Sequence, residues 1–296
     1  MRPQDFETLA RVVKAQSGLE LTPDKAYLLE ARLAPIARKW KLDTVAQLAD
    51  QVRSRPADTQ IRDVAEAMTT NESFFFRDIK PFDLVRDIML PELLKTRADR
   101  RTLRIWSAAS SSGQEAYSLA LMLKERGGEL NGWKIEIVGT DLSTEMVERA
   151  QTGEYSTFEV QRGMPAKLLV KYFKRNGDKW RVSDEIRGMT QFRRANLLHD
   201  LSSLGKFDIV FCRNVLIYFD LATRRQVLAA IAKQMPPDGF LILGASETVL
   251  GVTDKFKTSP GTPGYYTPAT GTLHMAVRAD QAAAISSTNR STIAAT

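Results

Sequence analysis

The residues of this 296-residue chain that could do chemistry stand at the ends of apolar runs. Small residues, Ala109 to Gly113, follow the run Leu103 to Ala108, and Asp141 follows Ile135 to Thr140. Asn196-Leu197 follows Thr190 to Ala195, and Arg213-Asn214 follows Phe207 to Cys212. Small side chains let a backbone approach a ligand, and a helix beginning there offers unpaired N–H groups at the positive end of its dipole. An acid at the tip of the second strand of such a fold is placed to accept hydrogen bonds from ribose hydroxyls. The chemistry indicated is the binding of a nucleotide-like cofactor. Asp141 has an alternative role as a helix cap, because it precedes the helical run Glu145 to Ala150. The loop is not the dinucleotide fingerprint: its small residues fall at Ala109, Ser111 and Gly113, with one glycine. The stretch Thr69 to Ser73 is rich in capping residues and leads directly into Phe74-Phe75-Phe76-Arg77. Without further information the phenylalanines would plug a joint between domains while Arg77 pairs with a surface acid.

Other chemistries are disfavoured. Cys212, the single cysteine, lies in an apolar run and reads as buried packing, with no disulfide possible within the chain. His199 and His274 are far apart with no cysteine cluster, so no metal site is expected. No apolar run is long enough to span a bilayer and the first residues lack an apolar signal core, which leads to the expectation of a cytoplasmic protein without membrane insertion. The net charge of +7 suits an acidic partner, whether nucleic acid, anionic lipid or a carboxylate-rich protein surface. At 43% apolar residues the chain can bury a sizeable core.

The elements that must position these residues follow from periodicity. Phe6, Leu9, Val12 and Val13 mark a first helix ending at Ser17-Gly18, and Thr22-Pro23 opens a second carrying Leu29, Leu33, Ile36 and Trp40. Pro35 predicts a kink or restart of that helix. Val45, Leu48 and Val52, then Ile61, Val64, Ala65 and Met68, give two more, and Lys80 to Lys95 is helical with Pro91 ending or restarting it. From Leu103 strands and helices alternate, which implies a parallel sheet with helices on its faces and a ligand crevice at the strands' carboxyl ends. About 40 residues between the second and third sheet strands exceed what one crossover needs. Within them Lys171 to Arg175 and Asp178 to Val182 read as a hairpin closed by Asn176-Gly177 in a type I′ turn. Phe240 to Leu243 is a fifth strand, and Phe256 to Ser259 with Tyr265 to Thr267 form a closing hairpin. After Arg278 the chain is Ala, Ser and Thr without periodicity, the composition of a disordered tail.

Four segments taken together, Thr70 to Arg77, Trp106 to Ser118, Gly139 to Ser143 and Cys212 to Asp220, resemble the motifs of CheR-type chemotaxis receptor methyltransferases, in that family's order. The resemblance implies a Rossmann-like class I methyltransferase sheet with an N-terminal all-helical domain and a small inserted antiparallel β-subdomain. The expected divisions are a helical domain over 1–78 and an S-adenosylmethionine-binding domain over 79–277, the subdomain at about 155–189, and a tail over 278–296. The implied reaction is methyl transfer from S-adenosylmethionine to receptor glutamates, leaving glutamate methyl esters and S-adenosylhomocysteine; the alternatives are a methyltransferase of RNA or a small molecule, or a non-catalytic module that senses the cofactor and docks on a partner. Position by position, Asn71, Ser73, Arg77, Glu115, Asp141, Asn196, Leu197, Arg213 and Asn214 match cofactor-contacting positions, and Tyr218 matches a tyrosine of the same pocket. Asp141 would take the ribose hydroxyls, Asn196 and Leu197 the adenine edge and face, and Glu115 the methionine amino group. Arg77 and Tyr218 would orient the incoming carboxylate. Arg32, Arg38 and Lys39 would face the acidic helical region of the receptor. Ala116 and Ser143 depart from the family, which often has proline and a second acid there. The implied protein acts as a monomer and binds no nucleic acid. Its short Asn176-Gly177 turn, where some members have a glycine-rich loop, implies no dependence on a receptor tail peptide.

Overall fold

The computed structural model describes residues 1–258 and 264–271. Four helices open the chain: Pro3–Ser17, Ala26–Lys39, Val45–Ser54 and Asp58–Ala67. Their apolar stripes, including Phe6, Leu9, Leu29, Leu33, Leu48 and Val64, meet in one core. The first helix stops at Gly18, whose left-handed backbone lets its N–H close on the Lys14 carbonyl. Thr44 and Gln47 cap the third reciprocally. Contrary to the expectation from Pro35, the second helix does not restart there. Leu33 and Ala37, flanking the proline, are both buried, and that burial offsets the loss of one backbone hydrogen bond. Pro91, by contrast, stands in the first turn of a helix that restarts at Leu90, as expected. The helical run from Lys80 to Thr96 widens into a π turn over Val85–Met89, where the Leu90 N–H reaches back to the Val85 carbonyl.

The strands are β1 (Thr102–Ala108), β2 (Lys134–Asp141), β3 (Glu154–Ser156), β4 (Phe173–Asn176), β5 (Lys179–Val182), β6 (Thr190–Arg194), β7 (Ile209–Cys212), β8 (Phe240–Leu243), β9 (Phe256–Thr258) and β10 (Tyr266–Pro268). Seven of them make one sheet in the order β6-β2-β1-β7-β8-β10-β9. The five strands from β6 to β8 are parallel, and β10 runs antiparallel to both its neighbours. The chain moves outward in opposite directions from β1, so a crevice opens at the carboxyl ends of β1 and β7. Trp106 at its base is fully buried, stacks on Phe207 at 5.5 Å and donates to Thr140 Oγ1 across the β1–β2 pair. The closing hairpin expected near the C-terminus is β9 and β10; Ser259 and the tail from 278 lie outside the described residues.

The second, antiparallel sheet has the order β3-β5-β4 and lies in the chain between β2 and β6. Lys171 and Tyr172 end a helix, Ala166–Tyr172, rather than begin a strand. The hairpin turn is also one residue later than its sequence suggests. Asn176 pairs with Lys179, so the loop is Gly177-Asp178, and only Gly177 has a positive φ, 62°. That is the glycine-first pattern of a type II′ turn; type I′ needs positive φ at both positions. The loop still has two residues.

Several contacts join the helical part to the sheet. The Glu20 N–H donates to the Tyr218 carbonyl beside a bridge between Leu19 and Phe219. Asn196 Nδ2 donates to the Gln16 carbonyl. Glu66 accepts from the Thr144 N–H and from Arg194, placing an anion at the N-terminus of the helix Thr144–Thr152. Lys14 adds an ion pair to Asp220, 2.7 Å long, and Asp220 also caps the helix Leu221–Lys233 through the Thr223 N–H.

The Lys14 ammonium, then the Thr223 N–H, hold the Asp220 carboxyl well below the usual carboxylate range. A lowered folded-state value stabilises the fold above the unfolded value of about 3.9 and loses that contribution as pH falls through the folded one. Asp220→Asn should therefore lower the urea midpoint at pH 7, with the gap to wild type narrower at pH 3 and closing only below it. An equal gap at both pH values would show that the charge of Asp220 contributes nothing.

Candidate functional site

Where β1 ends, the backbone takes conformations that ordinary side chains resist. Ala109, Ser111 and Gly113 have φ values of 56°, 50° and 92°, the same three positions at which the sequence places small residues. Such strain persists only where neighbours over-determine it. Here the Ser110 N–H donates to the Thr140 carbonyl, Ser111 N–H to Asp141 Oδ2, and Ser111 Oγ to the Asn71 carbonyl. From the other side, Tyr155 of β3, completely buried, donates its hydroxyl to the Ser112 carbonyl at 2.7 Å. Asp141 also accepts the Ser143 N–H, whereas Ser143 itself caps the helix Thr144–Thr152. The capping alternative for Asp141 thus falls to Ser143. Burial pushes the Asp141 carboxyl up, against these N–H donors pulling it down.

All ten pocket residues named from the sequence line one cleft: Asn71, Ser73, Arg77, Glu115, Asp141, Asn196, Leu197, Arg213, Asn214 and Tyr218. The helical part contributes Ser17 and Leu19 to the same wall, and the connecting segment adds Thr69, Thr70 and Phe74, none of them among the ten. Their sequence signal was the helix end at Ser17-Gly18, the capping-rich stretch Thr69 to Ser73 and the aromatic cluster that follows it.

Several of the ten are already engaged. Glu115, one residue into the helix Gln114–Glu125, accepts from Ser107 Oγ at 2.8 Å and from Arg213 Nη1 at 2.9 Å. Arg213, its side chain only 2% exposed, also donates to Asp78 at 2.5 Å and to the Arg77 carbonyl. It is therefore first a pin between β7, the helix after β1 and the connecting segment. Asn196 lines the cleft, and its amide is held in place by donating to the Gln16 carbonyl and accepting the Leu198 N–H on its side-chain oxygen. Arg77 makes one side-chain hydrogen bond among the described residues, to the Glu72 carbonyl, and stands over the Phe74 ring at 5.2 Å. It has no acid partner there, contrary to the plain reading of the cluster. Phe75 does act as a plug: it is fully buried edge-on to Tyr155 and Phe173 of the inserted sheet. Tyr218 is half-buried, and its hydroxyl has no partner among the described residues.

The three basic residues considered for docking separate. Arg32 donates to the Met68 and Thr69 carbonyls, closing the C-terminus of the helix Asp58–Ala67 and fixing the start of the connecting segment. Its guanidinium is structural, which corrects the docking expectation. Lys39 is paired with Asp63 at 2.8 Å. Arg38 alone is exposed and without a side-chain partner among the described residues.

The cleft fits a nucleoside carrying an amino-acid chain. Leu197 and Val215 supply apolar wall, and Asp141 and Glu115 place carboxylates at two separate points. Glu115 and Asp78 outnumber the single buried guanidinium of Arg213 between them, which leaves room for a cationic group. Ser110 Oγ and Arg213 Nε are buried on this wall without a protein partner. No group of residues able to hold a metal ion occurs among the described residues, and no helix there is long and apolar enough to cross a membrane.

Compared with known families, residues 4–69 match the CheR methyltransferase all-alpha domain and residues 71–265 the CheR methyltransferase SAM-binding domain. A Vibrio cholerae protein named chemotaxis protein methyltransferase 1 is 40% identical over 265 residues, spanning 88% of this chain and 95% of that one. Chemotaxis protein methyltransferase 1 of Pseudomonas aeruginosa is 39% identical, and chemotaxis protein methyltransferase Cher2 of Pseudomonas putida 38%; each alignment spans 88% of this chain and 96% of the relative.

Asp141→Asn replaces one carboxylate oxygen by an amide that must face the N–H of Ser111 or Ser143. The expected cost is about 1–3 kcal/mol in chemical unfolding. Hydrogen exchange at Ser110 to Gly113 should accelerate at the same time, and unchanged exchange there would show that Asp141 does not hold the loop.

Proposed function

The chain belongs to the CheR methyltransferase family, and from that premise we propose that it methylates glutamate side chains of chemotaxis receptors, with S-adenosylmethionine as methyl donor. The observation that carries this reading is the meeting of Glu115, Asp141, Asn214, Arg77 and Tyr218 in one cleft at the carboxyl ends of the parallel strands. When bound, S-adenosylmethionine supplies an electrophilic methyl group on a sulfonium. Asp141 is the residue for the ribose and Glu115 for the amino group, with Leu197 against the base. A glutamate side chain, with a reference pKa of about 4.3, is already ionised at neutral pH and attacks without a general base.

What remains for the protein is to position and desolvate the carboxylate. Arg77 has guanidinium N–H groups to spare and is braced by Phe74, so it can hold one carboxylate oxygen. The Tyr218 hydroxyl can donate to the other. Arg38, exposed on the second helix, is the charge left to steer an acidic receptor helix. The two-residue Gly177-Asp178 turn keeps β4 and β5 paired to their tip, which supports engagement of receptors without a tail peptide.

Labelled cofactor with receptor-bearing membranes tests the reaction. Base treatment of the product should release the label as volatile methanol, the mark of an ester, and label resistant to base would point to methylation of nucleic acid or a small molecule. Arg77→Ala should lower turnover at least tenfold (about 1.4 kcal/mol) with the thermal midpoint unchanged; near-normal turnover would remove its role.

Receptor docking is tested separately. Arg38→Glu should raise KM for receptor and leave cofactor affinity alone, and calorimetry with an aromatic-containing receptor tail pentapeptide should show no heat. Micromolar binding of that peptide would refute tail independence, and an unchanged receptor KM would reduce Arg38 to a solvated side chain.

A further inference from the structure

We propose that Glu247 is a positioning residue for the cleft, acting through the backbone of Asn214 to Ile217. The inference depends on the function proposed above only for the identity of the ligand. Glu247 lies just beyond β8, in a turn closed by its own N–H on the Gly244 carbonyl at 2.9 Å. Its residue is 8% exposed, and its carboxylate takes five backbone N–H groups. Oε2 accepts from Asn214 at 2.8 Å and Gly244 at 2.7 Å. Oε1 accepts from Val215 at 3.0 Å, Leu216 at 2.7 Å and Ile217 at 3.3 Å.

Successive N–H groups curled around one point make an anion-binding concavity. Here the curl begins at Asn214, whose φ of 58° is one that non-glycine residues avoid, and the anion that fills it belongs to the chain itself. Without the carboxylate, N–H groups pointing at one another would be left without acceptors, and the strained Asn214 would have no reason to persist. The backbone so fixed carries Asn214, Val215 and Tyr218 into the cleft, directly after the pin at Arg213. Glu247 itself does not line the cleft. Its effect on ligand can therefore pass only through where those residues stand.

A purely architectural role would show as lost stability, with the molecules that remain folded binding normally. A positioning role shows in the affinity of folded protein. Two variants separate the roles. Glu247→Gln keeps the shape but turns an amide NH2 toward at least two of the N–H groups. Gly244→Ala keeps the carboxylate and its charge, but the added Cβ would lie 2.6 Å from Glu247 Oε2 and 3.0 Å from the Asn214 nitrogen, forcing the carboxylate out of its seat. In calorimetry with S-adenosylhomocysteine on the full chain, both folded variants should bind at least tenfold more weakly than wild type. Folded variants binding within twofold of wild type would overturn the proposal, as would loss of the fold by both. A wild-type protein that binds no S-adenosylhomocysteine would instead overturn the reading of the cleft.

Discussion

One buried guanidinium holds the working parts together. Arg213 leaves the end of β7 and reaches Glu115 on the helix after β1, and Asp78 and the Arg77 carbonyl on the segment that joins the helical part to the sheet. A charge this deeply buried is tolerated only with partners, and removing the guanidinium would leave the Glu115 carboxylate without its ion pair at a cost of about 3–5 kcal/mol. The three elements are thus fixed relative to one another by electrostatics that none of them could satisfy alone. The same segment is held at further points, where the Phe76 N–H meets Ser118 Oγ and Arg32 meets the carbonyls of Met68 and Thr69.

Around this pin the backbone is bent into unusual shapes. Apart from Lys41 and Arg101, the described non-glycine residues with left-handed φ are Phe76, Asp78, Ile79, Ala109, Ser111 and Asn214. They fall in the connecting segment beside Arg77, in the loop after β1 and in the loop after β7, three of the segments that line the cleft. Each such residue costs on the order of 1–3 kcal/mol. The restraints that oppose that cost come from elsewhere in the chain: Asp141 and Tyr155 for the first loop, Glu247 for the second, Arg213 for the segment. The inserted sheet has a part in this as well. Gly163 is packed so closely on the Phe75 carbonyl that a Cβ there would lie 2.0 Å from it, so the inserted region presses on the cleft wall directly.

Much of this was legible in the residues themselves. Helix and strand positions follow from apolar spacing because burial of one face is a local, periodic demand, and parallel strands put their carboxyl ends on one edge whatever their sequence. That topological rule is why Asp141, Asn196 and Asn214, more than 70 residues apart at the extremes, could be expected in one place. Small residues at 109, 111 and 113 announced a tight backbone because larger ones would clash there.

What the residues could not announce is how each polar group is used, because that is settled by partners brought near only by the fold. Arg32 looked like an exposed basic residue and is bound to carbonyls 36 and 37 residues away. Asn196 looked like a ligand amide and reaches Gln16, 180 positions earlier. Glu247 showed no pattern at all, since five N–H groups become an anion site only after β7 and β8 lie side by side. Even the hairpin turn moved by one residue, from Asn176-Gly177 to Gly177-Asp178. Its register was set by β5, which must pair with β3 and β4 at once. Local pattern therefore determined the elements and the edge of the sheet where they converge, while long-range pairing of charges and strands decided which side chains remain free to act there.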